Sequence, residues 1–224
     1  MPGCFKIPLM LFLVVIASVT MANDETNPER EGWETFAKVC AACHGARGAG
    51  KLELKTPSIA ALPYWYVEAQ LYKFRRSIRG SRTEDAGGMI MHAVAGTLAE
   101  SQIKKLAAHV HGLPRNPTQN TLNGDMKLGE YLFTEICMAC HRYNASGEKV
   151  FGSPPLYGLQ DWYIAMQLKK FRDGVRGAHK EDIKGAKMHQ MTSDLSDADL
   201  LAVASYVSVL AERHLPVKKS KKRD

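Results

Sequence analysis

The sequence predicts an all-α protein assembled from two tandem copies of one helical domain. Three observations carry this expectation. Shifting the 224-residue chain by 97 positions lays one half on the other without a gap. Apolar residues recur at helical spacing in both copies, and no stretch alternates apolar and polar residues as a half-buried strand would.

The repeat is dense. Gly32 falls on Gly129, Phe36 on Phe133, Pro57 on Pro154 and Trp65-Tyr66 on Trp162-Tyr163. Gln70-Leu71 falls on Gln167-Leu168, Lys73-Phe74-Arg75 on Lys170-Phe171-Arg172, Arg79-Gly80 on Arg176-Gly177, and Met91-His92 on Met188-His189. Each copy has about 90 residues, which is small for a self-sufficient hydrophobic core. A bulky apolar group held inside each copy would make up the difference.

Residues 1–22 stand apart as an expected signal peptide. Lys6 precedes an apolar run, Leu9 to Ile16, and Thr20-Met21-Ala22 supplies a small-residue exit. The run is shorter than the roughly 20 residues a membrane span needs. Cleavage would release an exported mature protein. Residues 23–113 then form the first domain and 114–123 a Pro- and Asn-rich linker that follows Gly112. Residues 124–215 form the second domain, and 216–224 a basic tail.

Three main helices are expected in each domain. The first holds Trp33, Phe36, Ala37 and Val39 and runs into Cys40. The second begins near Pro63 with the stripe Val67, Leu71, Phe74 and Ile78, repeated as Ile164, Leu168, Phe171 and Val175. Both are expected to stop at Arg79-Gly80 and Arg176-Gly177. The third covers about 99–111 and about 196–211. Ser196 with Asp199 is a capping pair. Ala99 with Gln102 is a weaker one, so the third helix of the first half should start less firmly.

Cys4 precedes the apolar leader, where no lipid is attached. The other four cysteines form Cys40-Ala41-Ala42-Cys43-His44 and Cys137-Met138-Ala139-Cys140-His141. C-x-x-C-H is the attachment signature of c-type haem. Two thiols bond to the vinyl groups on one porphyrin edge, and the adjoining histidine falls beneath the iron. A thioredoxin-like pair would need a βαβ setting. Zinc would need its ligands from two neighbouring knuckles rather than from separate repeats. The expected cofactors are therefore two covalently attached haem c groups, held by Cys40, Cys43 and His44 and by Cys137, Cys140 and His141.

The sixth iron ligand has candidates in Met89, Met91 and His92, and in Met188, His189 and Met191. Met89 falls on Ala186 and Met191 on Val94, so neither recurs. Met91 and Met188 recur, as do His92 and His189. A thioether stabilises ferrous iron and raises the reduction potential, which suits electron transfer. Met91 and Met188 are the expected iron ligands opposite His44 and His141.

Taken together, C-x-x-C-H, P-x-[LI], Q-L-x-x-F-R-x-x-x-R-G and M-x-x-x-x-x-x-L-S-D-x-D resemble a class I cytochrome c domain. Two in tandem behind a signal peptide resemble the dihaem cytochrome c4 family, from about Glu29 to Leu215. The resemblance implies two α-helical domains with His/Met-ligated haems. It further implies a periplasmic one-electron carrier that is not an enzyme and delivers electrons to a terminal oxidase. It assigns Pro57 and Pro154 to orienting the proximal histidines through their carbonyls. The first half departs from the pattern with Leu98-Ala99-Glu100-Ser101. An alternative function is the cytochrome subunit of a periplasmic dehydrogenase complex for sulfide or thiosulfate oxidation. A dihaem peroxidase would need an open sixth position, which the methionines disfavour.

The expected partners are redox proteins, either a terminal oxidase or an upstream quinol-oxidising complex. Formal net charge is +7, yet no basic run is interleaved with aromatics, so nucleic acid is not an expected partner. Lys218 to Arg223 could associate peripherally with an anionic membrane surface. Trp65 and Trp162 suit either haem edges or simple packing. Arg75, Arg79, Arg172 and Arg176 suit either haem propionates, an acidic partner or a solvated face. His109, His111, His179 and His214 are expected at the surface.

Overall fold

The computed structural model describes residues 27–115 and 119–214, without the side chains of 211–214. The expected signal peptide, the basic tail and part of the linker lie outside the described residues. So does the side chain of His214.

The first half runs α1 (Pro28–Thr35), a π-helical turn (Phe36–Cys40), α2 (Ala41–His44), α3 (Tyr64–Arg75), α4 (Ala86–Gly96) and α5 (Glu100–Gly112). The second repeats this as α6 (Met126–Leu132), a π-helical turn (Phe133–Cys137), α7 (Met138–His141), α8 (Asp161–Arg172), α9 (Ile183–Thr192) and α10 (Asp197–His214). A short 3₁₀ turn covers Lys149–Phe151. Among the described residues the only β pairing is two isolated bridges, Lys51 with Thr56 and Glu148 with Ser153.

Each half is built on a crossing of its first and last helices, α1 on α5 and α6 on α10. Asn27 caps α1 by accepting the Glu29 N–H (3.0 Å), and Asp125 caps α6 by accepting Lys127 N–H (2.9 Å) and Leu128 N–H (3.1 Å). The crossing depends on glycine. A Cβ at Gly32 would stand 2.5 Å from the Lys105 carbonyl oxygen, and one at Gly129 would stand 2.2 Å from that of Ala202. The backbones touch, so any side chain forces the helices apart. Gly129→Ala is expected to cost about 1–3 kcal/mol in urea unfolding. Gly112→Ala, where an added Cβ meets nothing within 4 Å, is the control and should change stability by less than about 1 kcal/mol.

The three main helices of each half are present. Between the second and third stands an additional helix, α4 or α9, in a stretch whose glycines Gly87-Gly88 and Gly185 read as loop. The second helices end earlier than their apolar stripe suggested, at Arg75 and Arg172 rather than at the Arg-Gly pairs. Ser77 (φ 58°) and Gly174 (φ 66°) turn left-handed. Ile78 N–H and Arg79 N–H then bond back to the Lys73 carbonyl (2.9 and 3.1 Å), and Arg176 N–H bonds to that of Lys170 (2.9 Å). This curl tucks both arginines inward.

The third helices start as their caps suggested. Ser196 and Asp199 bond reciprocally, Ser196 N–H to Oδ2 at 2.8 Å and Asp199 N–H to Ser196 Oγ at 3.2 Å. Ala99 has no side-chain acceptor, so α5 keeps only the return bond from Ala99 N–H to Gln102 Oε1 (2.8 Å). No helix among the described residues is long and apolar enough to cross a membrane.

Candidate functional site

Each half opens around a cleft. The first is lined by Cys40, Cys43, His44, Pro57 and Met91 among apolar side chains, with about 1480 Å³ of empty volume counted out to its mouth. The second is lined by Cys137, Cys140, His141, Pro154 and Met188, with about 1300 Å³ counted likewise. The π-helical turn is what delivers the cysteines. Ala41 N–H reaches back five residues to the Phe36 carbonyl, and Met138 N–H to that of Phe133. Such bulges recur at functional sites. Here the bulge buries Phe36 and Phe133 in the core and sets Cys40 and Cys137 against the cleft.

His44 and His141 are both buried. His44 Nδ1 stands 2.9 Å from the Pro57 carbonyl oxygen, so it donates there and leaves Nε2 its lone pair. Burial lowers the His44 pKa against the opposing pull of that carbonyl. Burial takes His141 down to about 4, with the Pro154 carbonyl opposing, although Nδ1 closes no hydrogen bond of ordinary geometry. Both rings are thus neutral at neutral pH, the form that ligates metals. Burial also pushes the Cys40 and Cys137 thiols up to about 11, helped by Cys43 and Cys140. The four thiols are not paired as disulfides.

The structure sets methionines, not histidines, in the clefts. Met91 shares the first cleft with His44, and Met188 shares the second with His141. His92 and His189 line neither cleft. Their Nδ1 atoms lie 2.6 Å and 2.5 Å from the carbonyl oxygens of Phe74 and Phe171, tying them to the ends of α3 and α8. Met89 is exposed and outside the first cleft, whereas Met191, equally exposed, lines the second together with Met188.

The two clefts share a wall, and that wall is an internal two-fold. Arg79 donates to Gln70 Oε1 (2.7 Å), Gln167 Oε1 (3.0 Å) and Tyr163 Oη (3.3 Å). Arg176 donates to Gln167 Oε1 (2.8 Å), Gln70 Oε1 (3.1 Å) and Tyr66 Oη (3.2 Å). Tyr66, Gln70, Tyr163 and Gln167 face both clefts. Both guanidiniums are buried, stacked on Phe74 and Phe171, and Arg79 Nε has no partner. No carboxylate among the described residues is within ion-pair distance of either arginine. Buried cations satisfied only by amides and phenols suit an added anion, and a haem brings two propionates. A neutral histidine, two unpaired thiols, an apolar cleft and buried positive charge together fit a covalently held haem in each half.

Sequence reasoning left the arginines open. Arg75 is exposed, and Arg172 pairs with Asp173 and Asp197, so only Arg79 and Arg176 reach the shared wall. Tyr66, Tyr163, Gln70 and Gln167 went unassigned, although their recurrence was a signal. Trp65 and Trp162 sit edge-on to Tyr66 and Tyr163 (5.7 and 5.9 Å between centroids), and neither tryptophan lines a cleft. His109 is partly exposed rather than wholly at the surface. It packs 5.0 Å from Phe36 with Nε2 buried, the place that Tyr206 takes against Phe133. His111 bonds to the Leu62 carbonyl, and His179 accepts from Glu181 N–H.

Comparison with known proteins gives a consistent picture. The family profile described as Cytochrome c matches residues 30–114 and again 126–211. The chain is 27% identical over 193 residues to the thiosulfate dehydrogenase electron acceptor of Stutzerimonas stutzeri (strain A1501), spanning 81% of this chain and 83% of that protein. It is 26% identical over 185 residues to cytochrome c4 of Azotobacter vinelandii, spanning 78% and 85%. The structure of reduced recombinant cytochrome c4 from Pseudomonas stutzeri superimposes with a TM-score of 0.62 at 26% identity, covering 80% of this chain and 96% of that one.

Proposed function

The chain belongs to the cytochrome c family, and from that premise we propose that it is a periplasmic one-electron carrier that serves a terminal oxidase and performs no bond chemistry itself. Its cofactors are two covalently attached haem c groups. Each haem iron, when bound, accepts and releases one electron. Cys40 and Cys43 would tether the first group and Cys137 and Cys140 the second, and His44 with Met91 and His141 with Met188 would ligate the irons. Pro57 holds the His44 ring by its Nδ1–H, which fixes the tautomer and raises the basicity of Nε2. The clefts are mainly apolar, and methionine ligation would leave the iron no vacant position for substrate.

The observation that carries this reading is the shared wall. Two clefts lined in common by Tyr66, Gln70, Tyr163 and Gln167 adjoin each other, an arrangement that suits passage of an electron inside the molecule. A redox titration of the holoprotein with optical spectra of its ferric form is the test. Two low-spin haems with methionine ligation, titrating in two one-electron steps, are expected. A high-spin haem in either half would overturn the carrier reading. The likeness to a thiosulfate dehydrogenase electron acceptor favours a second reading, in which the electrons come from a dehydrogenase partner.

A further inference from the structure

The wall between the halves carries a second, outer pair of contacts. Lys73 on α3 reaches across to Asp182, Nζ to Oδ1 at 2.6 Å, and Lys170 on α8 reaches back to Asp85 at 2.5 Å. Both carboxylates are 2% exposed. Each is also a helix cap. Asp85 Oδ1 accepts the Gly88 N–H and Asp182 Oδ1 accepts the Gly185 N–H, both at 2.8 Å. The caps belong to α4 and α9, the helices that carry Met91 and Met188. Gly88 and Gly185 are required there, because a Cβ on either would fall 2.2 Å from the carboxylate.

We propose that each half holds the other's distal methionine in place: Lys170 steadies Asp85 and so Met91, and Lys73 steadies Asp182 and so Met188. This rests on the reading of Met91 and Met188 as iron ligands. A carboxylate at a helix N-terminus is favoured by the helix dipole, but burying it without a counter-ion is costly. The lysine of the opposite half supplies that counter-ion. Burial alone would raise the Asp85 pKa, yet Lys170, the Gly88 N–H and Arg79 outweigh it and hold the carboxylate ionised. Without Lys170 the buried anion is unpaired, the cap loosens, and the first turns of α4, where Met91 lies, lose their anchor. The lysines are positioning residues, and the docking of the halves becomes part of each iron site.

Imidazole is the probe, because it competes with a methionine for ferric iron. The holoprotein is titrated while the thioether-to-iron absorption band is followed. The two halves are resolved by repeating the ferric titration in Met188→His and Met91→His backgrounds, where only the first or only the second half keeps a thioether band. Lys170→Ala should lower the apparent Kd for imidazole at the first half about tenfold and move the second less than about twofold. Lys73→Ala should do the mirror image, and Lys170→Arg should stay near wild type. If Lys170→Ala does not accumulate, Lys170→Met replaces it, keeping the stem and losing the charge. Equal loosening of both halves would reduce the pairs to simple docking contacts, and no loosening in either would also overturn the proposal. A wild-type protein without the thioether band, or one whose band survives Met91→His undiminished, would instead refute the ligand reading itself.

Discussion

Replacing Cys137 and Cys140 together by alanine is expected to leave one covalent haem per chain, seen as a halved haem stain after denaturing electrophoresis. The thiols are the only covalent hold the second half offers, since a histidine and a thioether bind reversibly. The effect should spread to the fold. The second cleft has about 1300 Å³ of empty volume lined by side chains such as Ile164, Leu168, Phe171 and Val207. Without the haem these apolar side chains would line an open, water-filled cleft, and a domain of about 90 residues has too small a core of its own to offset that exposure. After haem extraction the variant should therefore lose the cooperative unfolding step of the second half while keeping that of the first. A variant with undiminished haem stain would show that attachment does not depend on this pair.

What the sequence revealed about the fold and the site follows from how local each constraint is. Haem attachment needs two thiols and a histidine at fixed spacing, so Cys40 to His44 and Cys137 to His141 could be read directly. The choice of methionine over histidine was open to the repeat only in part, because Met91 and His92 recur equally. The geometry that separates them, His92 bonded to the Phe74 carbonyl, joins residues 18 apart through a helix end that no motif announces. The helix α4 escaped notice because Gly87-Gly88 reads as a breaker. Yet Gly88 is there to make room for its own cap, Asp85. The fates of Arg79 and Arg176 depend on Gln167, Tyr163, Gln70 and Tyr66 of the opposite half, and periodicity tells which face is apolar without telling what meets it. His109 misled for a related reason. Its spatial counterpart is Tyr206, a different residue type, so an identity-based repeat had nothing to match.

Asp161 is the place where the duplicated halves differ most in consequence, and Asp161→Ala should be the most destabilising single substitution outside the clefts. Its side chain is wholly buried. It accepts from Thr121 Oγ1 (2.8 Å), from the backbone N–H groups of Thr121 and Leu122 (the latter at 2.7 Å), and from Trp162 N–H (2.7 Å). One carboxylate thereby ties the segment entering the second half to the first turn of α8. The first half has Tyr64 at the same repeat position, which offers no carboxylate. Hydrogen bonds to a charged group contribute roughly 1.5–3 kcal/mol each, and the stranded donors cost more, so Asp161→Ala should lose about 3–5 kcal/mol in urea unfolding of the holoprotein. Asp161→Asn keeps one acceptor oxygen and turns an N–H toward donors, which should cost about half as much. Asp161 lines neither cleft, so the native-state haem spectrum of both variants should match wild type. That combination, a large loss of stability with unchanged iron ligation, separates a clasp from a part of the redox site. A loss below about 0.5 kcal/mol would mean that water replaces the carboxylate without penalty.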